Sequence, residues 1–530
     1  MTVYLAYRMI TSPIVLAILD GWGLTRNTRG NAIFDAYTPT IDRIASLHPS
    51  LVLQASGFSV GMLWGEAGNS EAGHMAIGTG RITYHHLPRI LKEIRTGSFF
   101  ENPVLIGAIA HVKKHHGKLH LVGTLSGAAV HSYLDHLLAL FTLAQNYDTA
   151  CLLHIITDGK DAPPRQGIRI LEHVLTRITT GAVSVTPSTL LGRHYLMDAA
   201  LPEERILQGY RVLVAGETAE VPDALACLRA AYERGVTDEF VPPIVLRAGT
   251  RIRPNDAVIC FNFREDGLKQ FVKILAGAET LSPQEPPPPQ NVYIATFTRY
   301  ATDVNVGVAF PAEETRQSLS EALSAYGVQQ VKIAEVKKVA HVSYFFNGGR
   351  EESFPFESRI VIPSPTEADA STAPSDTAAI ATGEEVVRLV ERTAAECIVA
   401  NFATADHALH TGNFKATIRA VEAVDRALER VYQTIVHRRG ALLITADHGG
   451  AEEMFNIRTG EIKSGHSDNP VPLYYVTGRN RFRAARDEKE LVLRYTQPVG
   501  VLADIAPTIL QLLGVKKPAE MTGRSLLGLL

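Results

Sequence analysis

Three short apolar runs in this chain end near a carboxylate: IVLAIL runs into Asp20, CIVANF leads to Asp406, and ALLIT leads to Asp447. Such runs, bounded by polar or glycine-rich turns and separated by longer amphipathic stretches, read as strands buried on both faces of parallel sheets of the α/β kind. In open α/β sheets ligands bind beyond the C-terminal ends of the strands, which is where each of these aspartates falls. The three runs come from opposite ends of the chain. Between them lies a second set of strand ends that supplies His, Lys and Arg. KLHLVGTLS leads to His131, CLLHIIT to DGKD with Lys160 and Asp161, a short run to GRHYLMD with Arg193, and DAVICFNF to Arg264. A chain of 530 residues is also too long for one hydrophobic core. The simplest topology is one discontinuous domain, residues 1–84 and 316–530, with a second α/β domain inserted at 85–315.

Charge and composition narrow the partners. A formal net charge of -3 provides no long basic surface for a nucleic-acid backbone, so a small molecule is the expected partner. The four cysteines (Cys151, Cys227, Cys260, Cys397) are far apart and form no C-x-x-C pair, which argues against disulfides or a thiolate metal site. At the N-terminus an arginine breaks the apolar part of MTVYLAYRMITSPIVLAILD, and it has no small-residue cleavage site, so it does not read as a signal peptide. No apolar run is long enough for a transmembrane helix. A cytoplasmic protein with no membrane partner is expected. SPQEPPPPQ (Ser282–Gln290) reads as a stiff surface loop, and ADIAPTILQLLG (Ala503–Gly514) as a packed helix that stops at glycine.

Aspartate and histidine recur at the first set of strand ends. The tetrapeptide TADH occurs twice, in TADHALHTGN and TADHGG. Asp20, Asp406, His410, Asp447, His448 and His466 all fall in loops after strands, and mixed carboxylate and imidazole donors suit Mn, Zn, Fe or Co. Six candidates exceed the three or four ligands that one catalytic ion takes, so two ions are the more economical reading. Each residue alone has a plainer explanation, an aspartate as a helix cap or a histidine as a satisfied core group. Shared placement at strand ends is what favours metal.

GEAGNSEAGHMAIGTGR (Gly65–Arg81) places Ser70 among small residues just before an expected helix, where amides and the helix dipole favour an oxyanion or phosphate. A serine hydroxyl is a weak nucleophile unless a base or metal lowers its pKa. Beside a metal pair Ser70 becomes a candidate nucleophile; without one it would be only a cap.

In order along the chain, LDGWG, GNSEAGHMAIGTGR, VHS, TDGKDAPP, GRHYLMD, FNFRED, HVSYFFNGG, ADHALHTGN, TADHGG and DIAPTILQLLG resemble the motifs of the cofactor-independent (2,3-bisphosphoglycerate-independent) phosphoglycerate mutases, of the alkaline phosphatase superfamily. The resemblance covers essentially the whole chain from about residue 14. It implies a doubly wound, alkaline-phosphatase-like metal-binding domain with an inserted phosphotransferase domain. It also implies an isomerase of glycolysis and gluconeogenesis that interconverts 3- and 2-phosphoglycerate through a phosphoserine, without 2,3-bisphosphoglycerate. Carried over by motif, Asp406, His410 and His466 would hold one divalent ion, and Asp20, Ser70, Asp447 and His448 the other. Manganese is the usual metal, with Mg, Co or Zn as alternatives, and a monomer is expected. Ser70 would be the nucleophile and Asp161 the base on the glycerate hydroxyl, with His131, Lys160, Asp161, Arg193, Arg264 and Lys338 around the substrate. His407, in the first TADH, has no role in that pattern.

The substrate side departs from the family pattern. Lys160 stands where the family has arginine, Ala199 and Gly267 replace two more arginines, and SGAAVHSY carries Ala128 and Ala129 after Gly127. Charge-assisted hydrogen bonds of this kind are worth about 1.5–3 kcal/mol each. Arg165 and Arg205 are near enough in sequence to be candidates for compensation, although ordinary surface charges explain them as well. Three readings follow: a divergent mutase, a related phosphomutase or metallophosphatase with another substrate, and a decayed metal-binding relative. The intact metal and serine motifs favour the first.

Overall fold

The computed structural model describes residues 13–181, 184–197, 203–216, 220–279, 282–312, 315–363, 376–456, 458–479 and 497–530. Ala199 lies outside them. The chain divides into two compact units, one drawn from Met1–His85 and Glu314–Leu530, the other from His86–Glu313.

The first unit is built on an eight-stranded sheet in the order Glu357–Ile362, Gln330–Glu335, Cys397–Phe402, Ile14–Leu19, Ala441–Thr445, Val471–Thr477, Ser50–Gln54, Gly500–Val501. Ile14–Leu19, Cys397–Phe402 and Ala441–Thr445 are buried along their whole length, which is why their sequences are mostly apolar rather than alternating. Val471–Thr477 runs antiparallel to both of its neighbours. The remaining pairings are parallel. Register places the functional loops together: Leu19 pairs with Phe402, and Ile18 with Thr445. Three strands therefore end at one edge of the sheet, and Asp20, Asp406 and Asp447 follow from it.

The helix Ser70–Thr79 starts at this edge. Asn69 caps it, its side chain accepting from the Ala72 N–H, and Gly80 ends it in the left-handed conformation at φ 62°. Gly73 lets the helix lie against the Asp447 loop, because a Cβ there would sit 2.4 Å from the Asp447 carbonyl oxygen. The C-terminal helix Ile505–Leu513 is buried and ends at Gly514.

The second unit carries a seven-stranded sheet in the order Ile244–Val245, Val185–Gly192, Cys151–Thr157, Leu119–Leu125, Ala257–Cys260, Tyr293–Thr296, Gly307–Val308. Only Ile244–Val245 is antiparallel to its neighbour. Leu125 pairs with Thr157 and Thr157 with Gly192, so the segments carrying Ser126, Asp158 and Arg193 leave one edge. Polar atoms inside this sheet satisfy one another: His120 contacts Asp256 at 3.0 Å and His154 at 2.8 Å, and His154 reaches Thr189 at 2.9 Å. The proline-rich loop is tied down at Glu285, which accepts from Arg211 Nε at 2.7 Å. All four cysteines are free and buried. Among the described residues, no helix is long and apolar enough to cross a membrane.

Candidate active site

Asp20, Ser70, Lys338, Asp406, Asp447 and His448 form one buried cluster at the sheet edge of the first unit. Ser70 Oγ lies 2.7 Å from Lys338 Nζ, 3.0 Å from His448 Nε2 and 3.3 Å from Asp20 Oδ1. The Lys338 ammonium also donates to Asp20 Oδ1 at 3.1 Å and to Asp406 Oδ2 at 2.9 Å. Expected on the substrate side, this lysine stands within the cluster.

The histidines all present the same ring nitrogen inward. His410 Nδ1 lies 2.8 Å from the Ser464 carbonyl, His466 Nδ1 3.0 Å from that of Gly68, and His448 Nδ1 3.1 Å from that of Gly449. A carbonyl can only accept, so each Nδ1 carries a hydrogen and each Nε2 faces the carboxylates, open to a cation once it is deprotonated. The Nε2 atoms of His410 and His466 are 3.1 Å apart, and they lie 3.3 and 3.5 Å from Asp406 Oδ1. His448 Nε2 faces Asp20 Oδ1 at 3.3 Å and Asp447 Oδ2 at 3.5 Å. Donor atoms from Asp406, His448 and His466, and from Asp20, Asp447 and His448, fall within 4.8 Å of one another.

Charge points the same way. Three carboxylates face one ammonium, and Asp406 Oδ1 and Asp447 Oδ2 are buried with no hydrogen-bond partner. Burial works against ionised Asp20, yet Lys338 outweighs it and holds the carboxyl below its usual range. Asp406 is likewise held low: burial opposes, and the neighbouring imidazoles of His410 and His466 prevail. Burial disfavours a charged His448, but Asp447 and Asp20 push it up to about 10. Lys338 rises above its ordinary value because Asp20 and Asp406 overcome its burial. Convergent imidazole nitrogens, orphaned carboxylate oxygens and surplus negative charge fit divalent cations.

In the second unit Arg193 and Arg264 are already paired with carboxylates. Arg193 is buried and donates to Asp158 Oδ1 at 2.7 Å, to Asp161 Oδ2, and through its other nitrogen to His131 Nε2 at 3.0 Å. Asp158 also accepts from the N–H groups of Lys160 and Asp161 and from Ser126 Oγ, so one buried carboxylate sets the DGKD turn. Burial pushes the His131 pKa down, and the Arg193 charge adds to it. Lys160, Asp161 and Arg264 are exposed, and Arg264 pairs with Asp266 at 3.0 Å. A Cβ on Gly267 would meet the Met197 terminal methyl at 2.7 Å and His131 Nδ1 at 3.3 Å. Of the two candidates for compensation, Arg165 lies over the Tyr232 ring at 5.6 Å.

Comparison with known proteins places this geometry in a family. Residues 12–517 match the Metalloenzyme superfamily. The chain is 41% identical over 524 residues to the 2,3-bisphosphoglycerate-independent phosphoglycerate mutase of Thermosynechococcus vestitus, covering 97% of this chain and 96% of that one. The chain belongs to the 2,3-bisphosphoglycerate-independent phosphoglycerate mutase family. Relatives of the same description in Moorella thermoacetica and Methanosarcina acetivorans are each 40% identical, over 98% and 97% of this chain and 99% and 98% of theirs. A crystal structure of Leishmania mexicana phosphoglycerate mutase at low cobalt concentration shares the fold, with TM-score 0.59, 24% identity and 97% coverage of both chains.

Within this mutase-family chain, sequence reasoning missed two groups. His74 and Asn401 are fully buried behind the cluster, and Glu452 accepts from the N–H groups of Gly23 at 2.9 Å and Gly450 at 2.6 Å, tying the LDGWG and ADHGG loops together. A signal existed for Asn401, a polar residue inside the otherwise apolar CIVANF run. His407, by contrast, turns to Glu335 at 3.5 Å.

Proposed function

We propose that this protein interconverts 3-phosphoglycerate and 2-phosphoglycerate through a phosphoserine at Ser70, without 2,3-bisphosphoglycerate. The observation that carries the reading is the setting of Ser70 Oγ, at a helix start and within 3.3 Å of Lys338, His448 and Asp20. Whole-chain identity of 41% to a mutase of that description favours it over a phosphatase or a decayed relative.

Asp406, His410 and His466 would hold one divalent ion, and Asp20, Ser70, Asp447 and His448 the other; manganese suits this carboxylate and imidazole set, with Mg, Co or Zn as alternatives. When bound, such ions lower the pKa of the serine hydroxyl and neutralise charge on the transferred phosphoryl group. Lys338 donates to Ser70 Oγ and so favours the alkoxide. The serine oxygen attacks phosphorus, the bond to the 3-oxygen of the glycerate breaks, and Asp161 gives that oxygen its proton. The freed glycerate turns over. Asp161 then takes the proton of the 2-hydroxyl as that oxygen attacks the phosphoserine, and Ser70 is released.

Arg193 holds Asp161 in place for both proton transfers, and His131 accepts from the other guanidinium nitrogen. Lys160 and Arg264 would meet the carboxylate and phosphate charges, with the second unit acting as the phosphotransferase domain and the first as the metal-binding one. The protein is expected to be a cytoplasmic monomer with no membrane or nucleic-acid partner. An enolase-coupled assay of manganese-loaded protein on 3-phosphoglycerate, with no added 2,3-bisphosphoglycerate, tests the reading. Turnover that Ser70→Ala abolishes is expected, and no signal above that variant overturns it.

A further inference from the structure

Two fully buried side chains stand behind the Ser70 cluster, and their hydrogen bonds have a fixed direction. Asn401 interrupts the apolar run of its strand one residue before its end, in register with Ile18, and its Nδ2 lies 2.8 Å from Asp20 Oδ2 and 3.1 Å from His74 Nε2. A carboxylate can only accept, so the amide nitrogen must face Asp20. The second amide hydrogen then points at His74 Nε2, which must be the bare nitrogen. His74 Nδ1 therefore carries the hydrogen. It donates to the Ser70 carbonyl at 2.8 Å and faces Asp447 Oδ2 at 3.1 Å.

Asn401 Oδ1 is buried without a hydrogen-bond partner, so the amide keeps this orientation although its oxygen gains nothing from it. His341 packs edge-on against the His74 ring at 5.6 Å and limits its rotation. With Oδ2 of Asp20 occupied by Asn401, its Oδ1 is left turned to Ser70 and His448. Asp447 accepts from the His448 backbone N–H at Oδ1, and the polar edge of the His74 ring stands 3.1 Å from its Oδ2.

We infer that Asn401 and His74 are positioning residues: one polarised chain, Asp20 to Asn401 to His74, orients the carboxylates of Asp20 and Asp447 and ties the first turn of the Ser70 helix to them. The inference rests on the reading that Asp20 and Asp447 hold a metal ion. Groups that orient metal ligands in this way are typically worth roughly 10- to 100-fold in affinity.

The test is manganese affinity, measured by competition with a fluorescent chelator, together with the melting temperature of the metal-free protein. His74→Phe and Asn401→Leu should weaken binding by roughly 10- to 100-fold. His74→Asn, whose amide can place an N–H near the Nδ1 position, should recover most of the loss. A role in filling space alone predicts that the phenylalanine variant binds as well as wild type, or that the asparagine variant is as weak as it; either result overturns the inference. If the phenylalanine variant does not fold, the comparison of His74→Asn with His74→Gln, which lacks a donor at Nδ1, decides between the same outcomes. Wild-type protein that takes up no manganese overturns the ion reading itself, before any variant is made.

Discussion

The cluster around Ser70 and the cluster around Arg193 are both made of carboxylates and cations, and they differ in which charge is left over. Around Ser70 three carboxylates face one ammonium, and two buried carboxylate oxygens have no hydrogen-bond partner. Around Arg193 the guanidinium is matched by Asp158 and Asp161, and Arg264 by Asp266. The first cluster lacks positive charge that only added cations supply. The second is closed on itself, and the free cationic capacity it offers an anionic substrate is small, with Lys160 its most available group. Burial alone does not separate them, since Arg193 and Asp158 are also buried. Satisfaction does.

The comparison can be broken most severely at the nucleophile. Ser70→Ala should cost about three orders of magnitude or more in turnover while leaving the far-ultraviolet circular dichroism unchanged, because Asn69 rather than Ser70 caps the helix. Next in size are two replacements that should fail differently. Asp447→Ala should remove bound metal, read by elemental analysis per chain. Arg193→Ala should leave metal content intact and raise KM, and by leaving buried Asp158 without its cationic partner it should cost about 1–3 kcal/mol of stability by denaturant titration. Equal metal loss in both would erase the distinction between the clusters.

Within the repeated TADH, His410→Ala should lower metal affinity far more than His407→Ala. His410 Nε2 stands beside Asp406 Oδ1 at 3.3 Å, whereas His407 faces Glu335 at 3.5 Å. Activity and metal content should also fall together on acidification, because carboxylate and imidazole ligands must be deprotonated to bind.

The smallest effect tests burial without function. Lys332 is buried beside Glu357 at 3.4 Å, and desolvation, outweighing that carboxylate, pushes its pKa from the ordinary 10.5 down to about 7. Between these values the unfolded chain binds a proton that the folded chain does not, so stability should rise with pH across that window. Lys332→Met should flatten the rise, read by denaturant midpoints from neutral to alkaline pH, with turnover little changed.

Much of this was legible in the sequence because strand-end carboxylates follow apolar runs, and register then brings them together whatever the intervening hundreds of residues do. Asp20, Asp406 and Asp447 needed only that Leu19 pair with Phe402 and Ile18 with Thr445. The direction of the imidazoles was not legible. It depends on carbonyls of Ser464, Gly68 and Gly449 fixing each Nδ1 hydrogen, and backbone carbonyls carry no residue-specific mark in a sequence. Nor was the place of Lys338 legible: a long flexible side chain is located by the charges it finds, and here it found Asp20 and Asp406. His74 and Asn401 were passed over because each alone reads as a satisfied polar group, and their direction appears only when Asp20 is seen beside them.

The central claim is that Ser70 carries the phosphoryl group between the two hydroxyls. Manganese-loaded protein quenched in acid during turnover of 3-phosphoglycerate, then digested for peptide mass spectrometry, tests it most directly. The account predicts phosphate on the peptide containing Ser70, lost in Ser70→Ala along with 2-phosphoglycerate formation. Sustained 2-phosphoglycerate production with Ser70 unmodified, or with the phosphate on another residue, would contradict it.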